Sequence, residues 1–256
     1  MTGRFLRGVP GPKIEARFNA SAANEIATGK FDRPESSAAL AANAFGFFLG
    51  KAADLPPLPG CDGETWPALT LMLEAEVRFP WRGGRHPVLD CLVTTPSAFI
   101  GIESKRFEPF RGRKASALSD AYWRLVWGKR MKGYESIRDR LHGEAGGYRH
   151  LNAAQLFKHA FALRTAVHKR PEFRALAPIL FYVHAEPEFW PGSGEPLDVR
   201  AKARHREEIE RFAATVADDE VTFVSCSWRN LLETWTQQED GRIRAHADAL
   251  MERFSP

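Results

Sequence analysis

Apolar and polar positions alternate in one part of the chain and recur at helical spacing in others. Within LMLEAEVRFPW the two classes alternate over residues 73–79, the period of a half-buried strand. Gly83 and Gly84 follow and suit a tight turn, because glycine tolerates positive φ. HPVLDCLVTT predicts a second strand, TPS a second turn, and AFIGIESKRF a third strand. Strands joined by such short turns form an antiparallel meander. In the third strand Phe99, Gly101, Glu103 and Lys105 share one face, and Ile100, Ile102 and Ser104 the other.

Helical patterns bracket this meander. SSAALAANAFGFFLG has Ser36 or Ser37 as an N-cap, apolar residues at helical spacing, and Gly50 as its end. DLPPLPG forbids continuation and makes a rigid connector. A basic, Trp-rich stretch predicts a helix over 115–127, and a Gly-rich break (Gly143, Gly146, Gly147) separates it from an amphipathic helix over 151–169. APILFYVHA, unbroken and apolar, predicts a buried central strand. A charged helix over 197–217, a strand at VTFVSCSW and two short helices complete the order. Residues 1–33 read as a loosely packed arm and 34–256 as one domain, with a core over about 34–185 and an extension over 186–256.

Composition narrows the class. At 44% hydrophobic and 27% charged, the 256 residues have the balance of an ordinary globular protein. Three scattered cysteines (Cys61, Cys91, Cys226) argue against a disulfide framework or structural zinc and fit a reducing cytoplasm. The N-terminal text lacks the apolar core of a signal peptide, and the greasiest stretch, 38–49, is too short to span a bilayer. No membrane partner and a cytoplasmic location are therefore expected. The net charge of +4 permits nucleic-acid binding without establishing it. More informative is the cluster Arg106, Arg111, Arg113, Lys114, Arg124, Lys129, Arg130 and Lys132.

The chemistry lies in the second and third strands. Asp90 and Glu103 fall on hairpin neighbours that can bring them side by side, and Lys105 shares Glu103's face. Two carboxylates can hold a hard cation such as Mg²⁺, with Mn²⁺ as a substitute. A metal-bound water is a nucleophile at neutral pH, and a lysine can orient it or stabilise developing negative charge. Glu74 and Glu76, on one face of the first strand, compete as an upstream acid, and Glu76 is favoured as nearer mid-strand.

At Pro87-Val-Leu-Asp90 and Glu103-Ser-Lys105 the sequence resembles the PD-(D/E)XK nuclease superfamily. The resemblance implies a restriction-endonuclease-like α/β core, a mixed central sheet flanked by helices in the order α-β-β-β-α-β, here with C-terminal helical additions. It makes Asp90 and Glu103 metal ligands and Lys105 the catalytic lysine, with the backbone carbonyl of Ser104 a further ligand. SSAALAANAFGFF, ESKRFEPF (with Glu108) and QLFKHAFAL resemble a bacterial branch of that superfamily, which places Gln155 near the metal or the scissile phosphate. The basic, Trp-rich segment departs from the pattern.

Blander readings compete. Asp90 and Glu103 could be surface acids salt-bridged to arginines, each worth little; their apolar strands make that costly. Gln155 could be a boundary amide, His159 reads as a boundary histidine, and Trp123 and Trp127 as core. His86 and His184 read as structural. The expected activity is Mg²⁺-dependent phosphodiester hydrolysis, with DNA as substrate, Arg106, Arg111, Arg113 and Lys114 on its backbone, and a homodimer admitted for cutting both strands. The rivals are a catalytically silent nucleic-acid-binding or assembly protein on the same fold and a metal hydrolase on another α/β fold.

Overall fold

A computed structural model describes residues 3–21, 25–112, 118–141 and 147–256. Five strands form one mixed sheet in the order β1-β2-β3-β4-β5: Thr70–Glu76, Val88–Thr94, Ala98–Lys105, Ala177–His184 and Thr222–Ser227. The first three are antiparallel; β3, β4 and β5 are parallel, so their carboxyl ends share one edge. Parallel neighbours need crossovers, and helices supply them. α3 (Lys132–Arg140) and α4 (Ala153–Lys169) join β3 to β4, and α5 (Val199–Val216) joins β4 to β5. These helices cover one face. α1 (Gly11–Ala20), α2 (Ser37–Gly46), α6 (Trp228–Thr236) and α7 (Gly241–Phe254) cover the other, giving two apolar cores separated by the sheet. Among the described residues, no helix is long and apolar enough to cross a membrane.

The meander and the order of elements from α4 onward are as expected, α3 was not foreseen, and three expectations change. First, residues 118–127 hold only a 3-10 turn at Asp120–Trp123, while 115–117 lie outside the described residues. Aromatic burial decides this segment. Trp127 is buried and stacks on Phe161 at 3.9 Å, its indole N–H donating to the Tyr122 carbonyl. Second, residues 1–33 are not a loose arm where described: Ile14, Phe18 and Phe31 are buried in the core around α2. Third, β1 begins and ends three residues earlier than its alternation suggested. Leu73, Glu74 and Ala75 are buried in succession, which breaks the period of two.

α2 shows why a short apolar helix needs more than one partner. Ser36 caps it, accepting the Ala39 N–H at 3.0 Å, and every residue from Ser37 to Gly46 is buried. A helix hidden on all sides must satisfy its polar groups internally. Asn43 accepts the Leu6 N–H and donates to the Ala39 carbonyl, both at 2.8 Å, while His246 of α7 lies 3.1 Å from the Asn43 carbonyl.

On the opposite face, α4 seats against β3 because position 101 is glycine. A Cβ there would lie 2.7 Å from Leu89 Cδ1 and 2.9 Å from Leu163 Cδ2. Gly101→Val should destabilise the fold by about 1–3 kcal/mol through overpacking, read from urea denaturation midpoints. A second measurement concerns His246. Burial, aided by Lys51, lowers its pKa to about 4. The unfolded chain therefore takes up a proton at a pH where the folded chain does not. Stability present above pH ~6.5 should fall as pH drops toward 4, by up to ~3 kcal/mol from this residue. His246→Gln should flatten that part of the slope in stability measured against pH.

Candidate active site

β3 carries the centre of the site. Seven of its eight residues are buried, yet it contains two ionisable groups. Glu103 Oε1 accepts from the Lys105 ammonium two residues along the same face, and Glu103 Oε2 lies 2.9 Å from His159 Nε2 on α4. The latter contact is electrostatic, off the line of a hydrogen bond. Burial alone would raise the Glu103 pKa, but Lys105 and then His159 outweigh it and hold it at about 2. Burial likewise opposes charge on Lys105, and Glu103, Glu108 and Asp90 together keep its pKa above the ordinary lysine value.

Asp90 reaches this group from β2 through an interruption of the ladder. The β2–β3 register runs from Thr94↔Phe99 to Cys91↔Ile102. One residue further, the Asp90 carboxylate takes the place of a main-chain acceptor, receiving the Ser104 N–H at 2.7 Å. Burial first, then the charge of Glu103, push the Asp90 pKa well above the ordinary aspartate range; Lys105 offsets this only in part. Neighbouring carboxyl groups are thus driven in opposite directions, a pattern typical of functional sites.

The third acid is Glu74. The β1–β2 register passes from Leu73↔Cys91 to Ala75↔Leu89, skipping Glu74, whose φ is +48°. A non-glycine residue held in that region is strained, and such strain persists only where the surroundings enforce it. Arg17 of α1 supplies that enforcement by donating to the carbonyls of Leu73 (2.8 Å) and Glu74 (2.9 Å). The Glu74 side chain is turned inward, 5% exposed, and accepts from the Ser21 hydroxyl at 2.6 Å. Burial raises its pKa to about 7, with Glu25 and Glu103 adding to the shift. Glu76, the favoured upstream acid, is instead exposed, 3.7 Å from Arg78. The flip at Glu74 reverses the choice.

Two more acids complete the surroundings. Glu108 accepts from the Ser37 hydroxyl at the start of α2 and from the Arg106 N–H at 2.8 Å. Glu25, half-buried, lies close enough for its charge to act on Lys105 and Glu103. Carboxylates therefore outnumber cations around Lys105. Among the described residues, however, no three His, Cys, Asp or Glu side chains are arranged to hold one ion.

The remaining expectations divide. Ser104 adjoins the site through atoms other than the carbonyl expected as a ligand: its N–H donates to Asp90 and its hydroxyl accepts from Trp228 at 3.2 Å. Gln155 sits one turn before His159 on α4, half-buried, its carbonyl taken by Asn152 at 2.9 Å. His159, expected at a boundary, is a buried member of the cluster. His86 accepts the Phe79 N–H at 3.1 Å, a structural role as expected. Arg106 is not on the surface: it is 7% exposed and donates to the carbonyls of Pro34 and Phe254. Strand alternation explains this, since Arg106 points away from Lys105. Arg111 is exposed and paired with Glu35 at 2.7 Å. Arg113 and Lys114 lie outside the described residues. Glu25, Arg17 and Ser21 gave no signal in sequence, because nothing there ties residues 17–25 to the sheet.

Comparison with family models, with curated proteins and with solved structures gave no match. The site is therefore read from its own geometry. Two substitutions should move stability in opposite directions in chelator-containing buffer. Glu103→Gln strands the Lys105 ammonium and should cost about 3 kcal/mol. Asp90→Asn keeps an acceptor for the Ser104 N–H while removing a repelled charge, and should add roughly 1 kcal/mol. Denaturation midpoints shifted the same way by both would contradict this account of the charges.

Proposed function

We propose that the chain is a metal-dependent phosphodiesterase of the PD-(D/E)XK type, acting on nucleic acid and on DNA in particular. The observation that carries the reading is the convergence of Asp90, Glu103 and Lys105 on adjacent strands of a mixed sheet, with an excess of buried carboxylate. The element order from α2 through the meander and α4 to β4 agrees with the resemblance at Pro87–Asp90 and Glu103–Lys105.

The donor chemistry suits a hard cation. Magnesium commonly binds through one or two carboxylates and retains several waters, so a site without three converged protein ligands is compatible with it. Asp90 and Glu103 would hold the ion, with Glu74 as the nearby third acid, and the excess negative charge gives it a reason to bind. When bound, such an ion supplies Lewis-acid polarisation and a water of lowered pKa.

The chain's own residues supply the rest. Lys105, kept charged by three acids, presents an ammonium where negative charge grows on a phosphoryl group. Its pairing with Glu103 sets its position before substrate arrives. His159 lies 2.9 Å from the second oxygen of Glu103 and flanks the carboxylate on the α4 side. The Ser104 N–H donates to the Asp90 carboxylate. Gln155 shares a helix face with His159, and in this reading its amide would contact substrate from above the sheet.

A second reading, a nucleic-acid binder without turnover, is favoured by the closed Glu103–Lys105 pair, which leaves neither group idle. One assay separates the two. With Mg²⁺ or Mn²⁺ the protein should cut plasmid, linear or single-stranded DNA. Asp90→Ala, Glu103→Ala and Lys105→Ala should each lose on the order of 10²-fold or more. Glu74→Gln should lose less, and Glu76→Ala nothing. Equal cleavage by wild type and the three alanine variants would remove the assignment, and no cleavage with retained DNA binding would favour the binder.

A further inference from the structure

Two adjoining cavities, of about 520 and 460 Å³, open beside the end of β3 and share Arg106, Pro191, Arg253 and Phe254 in their walls. Their lining is strongly cationic. Five arginines (Arg4, Arg33, Arg106, Arg229 and Arg253) face three carboxylates. Two of those carboxylates are already engaged: Asp32 by Arg4 at 2.7 Å and Glu186 by Arg206 at 2.7 Å.

Four of the arginines have no ion pair among the described residues. Arg106 is spent on two main-chain carbonyls, and Arg253 on those of Gly3 (2.9 Å) and Arg4 (3.1 Å). Carbonyls satisfy hydrogen bonds but do not cancel charge. Arg33 and Arg229 are exposed. The groove therefore carries a surplus of fixed positive charge, partly in a desolvated wall where it acts most strongly.

Aromatic surface lies in the same groove. The loop after β4 folds back on itself through Trp190 N–H to the Glu195 carbonyl at 2.7 Å and Leu197 N–H to the Glu188 carbonyl at 2.8 Å. It presents Phe189, 56% exposed, next to the half-buried Trp190. Trp190 is braced by Phe107 at 5.5 Å, with Arg111 at 5.8 Å from its ring. An exposed phenylalanine beside unpaired arginines suits a ligand with both charge and flat faces.

We infer that this groove binds a single-stranded segment of nucleic acid, its phosphates along Arg33, Arg229 and Arg253 and a base stacked on Phe189. Only unpaired bases offer their faces, and stacking on aromatics combined with arginine contacts to phosphate is how single strands are held without sequence preference. The inference rests on the phosphodiesterase reading for the class of polyanion. Arg106 directly follows Lys105 with its side chain on the opposite face of β3, so the groove opens beside the carboxyl end of the strand that carries Glu103 and Lys105.

Binding can be read without catalysis, by fluorescence anisotropy of the full chain in EDTA. The probes are labelled single-stranded DNA and RNA, the matching DNA duplex, and poly-glutamate. Single strands should bind most tightly, whether DNA or RNA. Phe189→Ala should weaken them about tenfold. Arg229→Gln should weaken all single strands alike and lower the slope of log affinity against log salt by roughly 0.7. Both side chains are exposed, so the variants should fold, as checked by circular dichroism. Tighter binding of duplex or poly-glutamate, no binding of any strand, or variants indistinguishable from wild type would each overturn the groove. Cleavage is measured in parallel. Binding that obeys the variants without any cleavage leaves the groove standing and removes the hydrolytic reading. Cleavage by a chain whose affinity ignores both variants does the reverse.

Discussion

A strand covered on both faces must neutralise any charge it bears, and β3 bears two. Glu103 and Lys105 solve this within the strand, where identical parity sets them side by side without help from any other element. The pair lets the sheet keep a carboxylate in its interior, and the neighbouring structure follows from it. α4 comes close enough for His159 to lie against the second oxygen of Glu103, which the missing side chain at Gly101 allows. Asp90 then has no cation of its own, since Lys105 is already committed. It rests on a main-chain N–H and remains under the repulsion of its neighbour.

The strained turn at Glu74 belongs to the same economy of charge. A third carboxylate faces the pair only because the backbone of β1 is twisted out of its regular path. Arg17 grips the two carbonyls at that point, and Ser21 caps the acid. Residues ahead of α2 therefore do more than cover apolar surface: they hold β1 in a conformation it would not adopt alone. Such a conformation costs on the order of 1–3 kcal/mol and persists only where the surrounding structure enforces it.

Much of the fold was legible because it follows from period. The meander, α4, β4 and β5 each have a clear pattern, and their order came out of the text alone. Asp90, Glu103 and Lys105 were legible too, being charged residues in otherwise apolar strands. What was hidden depended on tertiary packing. Nothing in the residue type of Glu74 announces a positive φ, so strand parity pointed to Glu76. The segment around Trp127 read as helical because aromatic spacing mimics a helix, whereas ring stacking on Phe161 fixes it. Arg106 looked like one of a run of surface cations, and only the alternation of β3 carried past its end would have sent it inward.

Arg106 also ties together parts of the chain that are remote from one another. Its guanidinium spans the carbonyls of Pro34 and Phe254, the latter 148 residues away. A contact between residues so far apart in sequence exists only in the folded chain, so the end of β3 depends on α7 being docked. Loosening α7 would take the Phe254 carbonyl from the Arg106 guanidinium and leave a buried cation short of an acceptor. The C-terminal helix thereby bears on the strand that carries the candidate catalytic pair without contributing a residue to it.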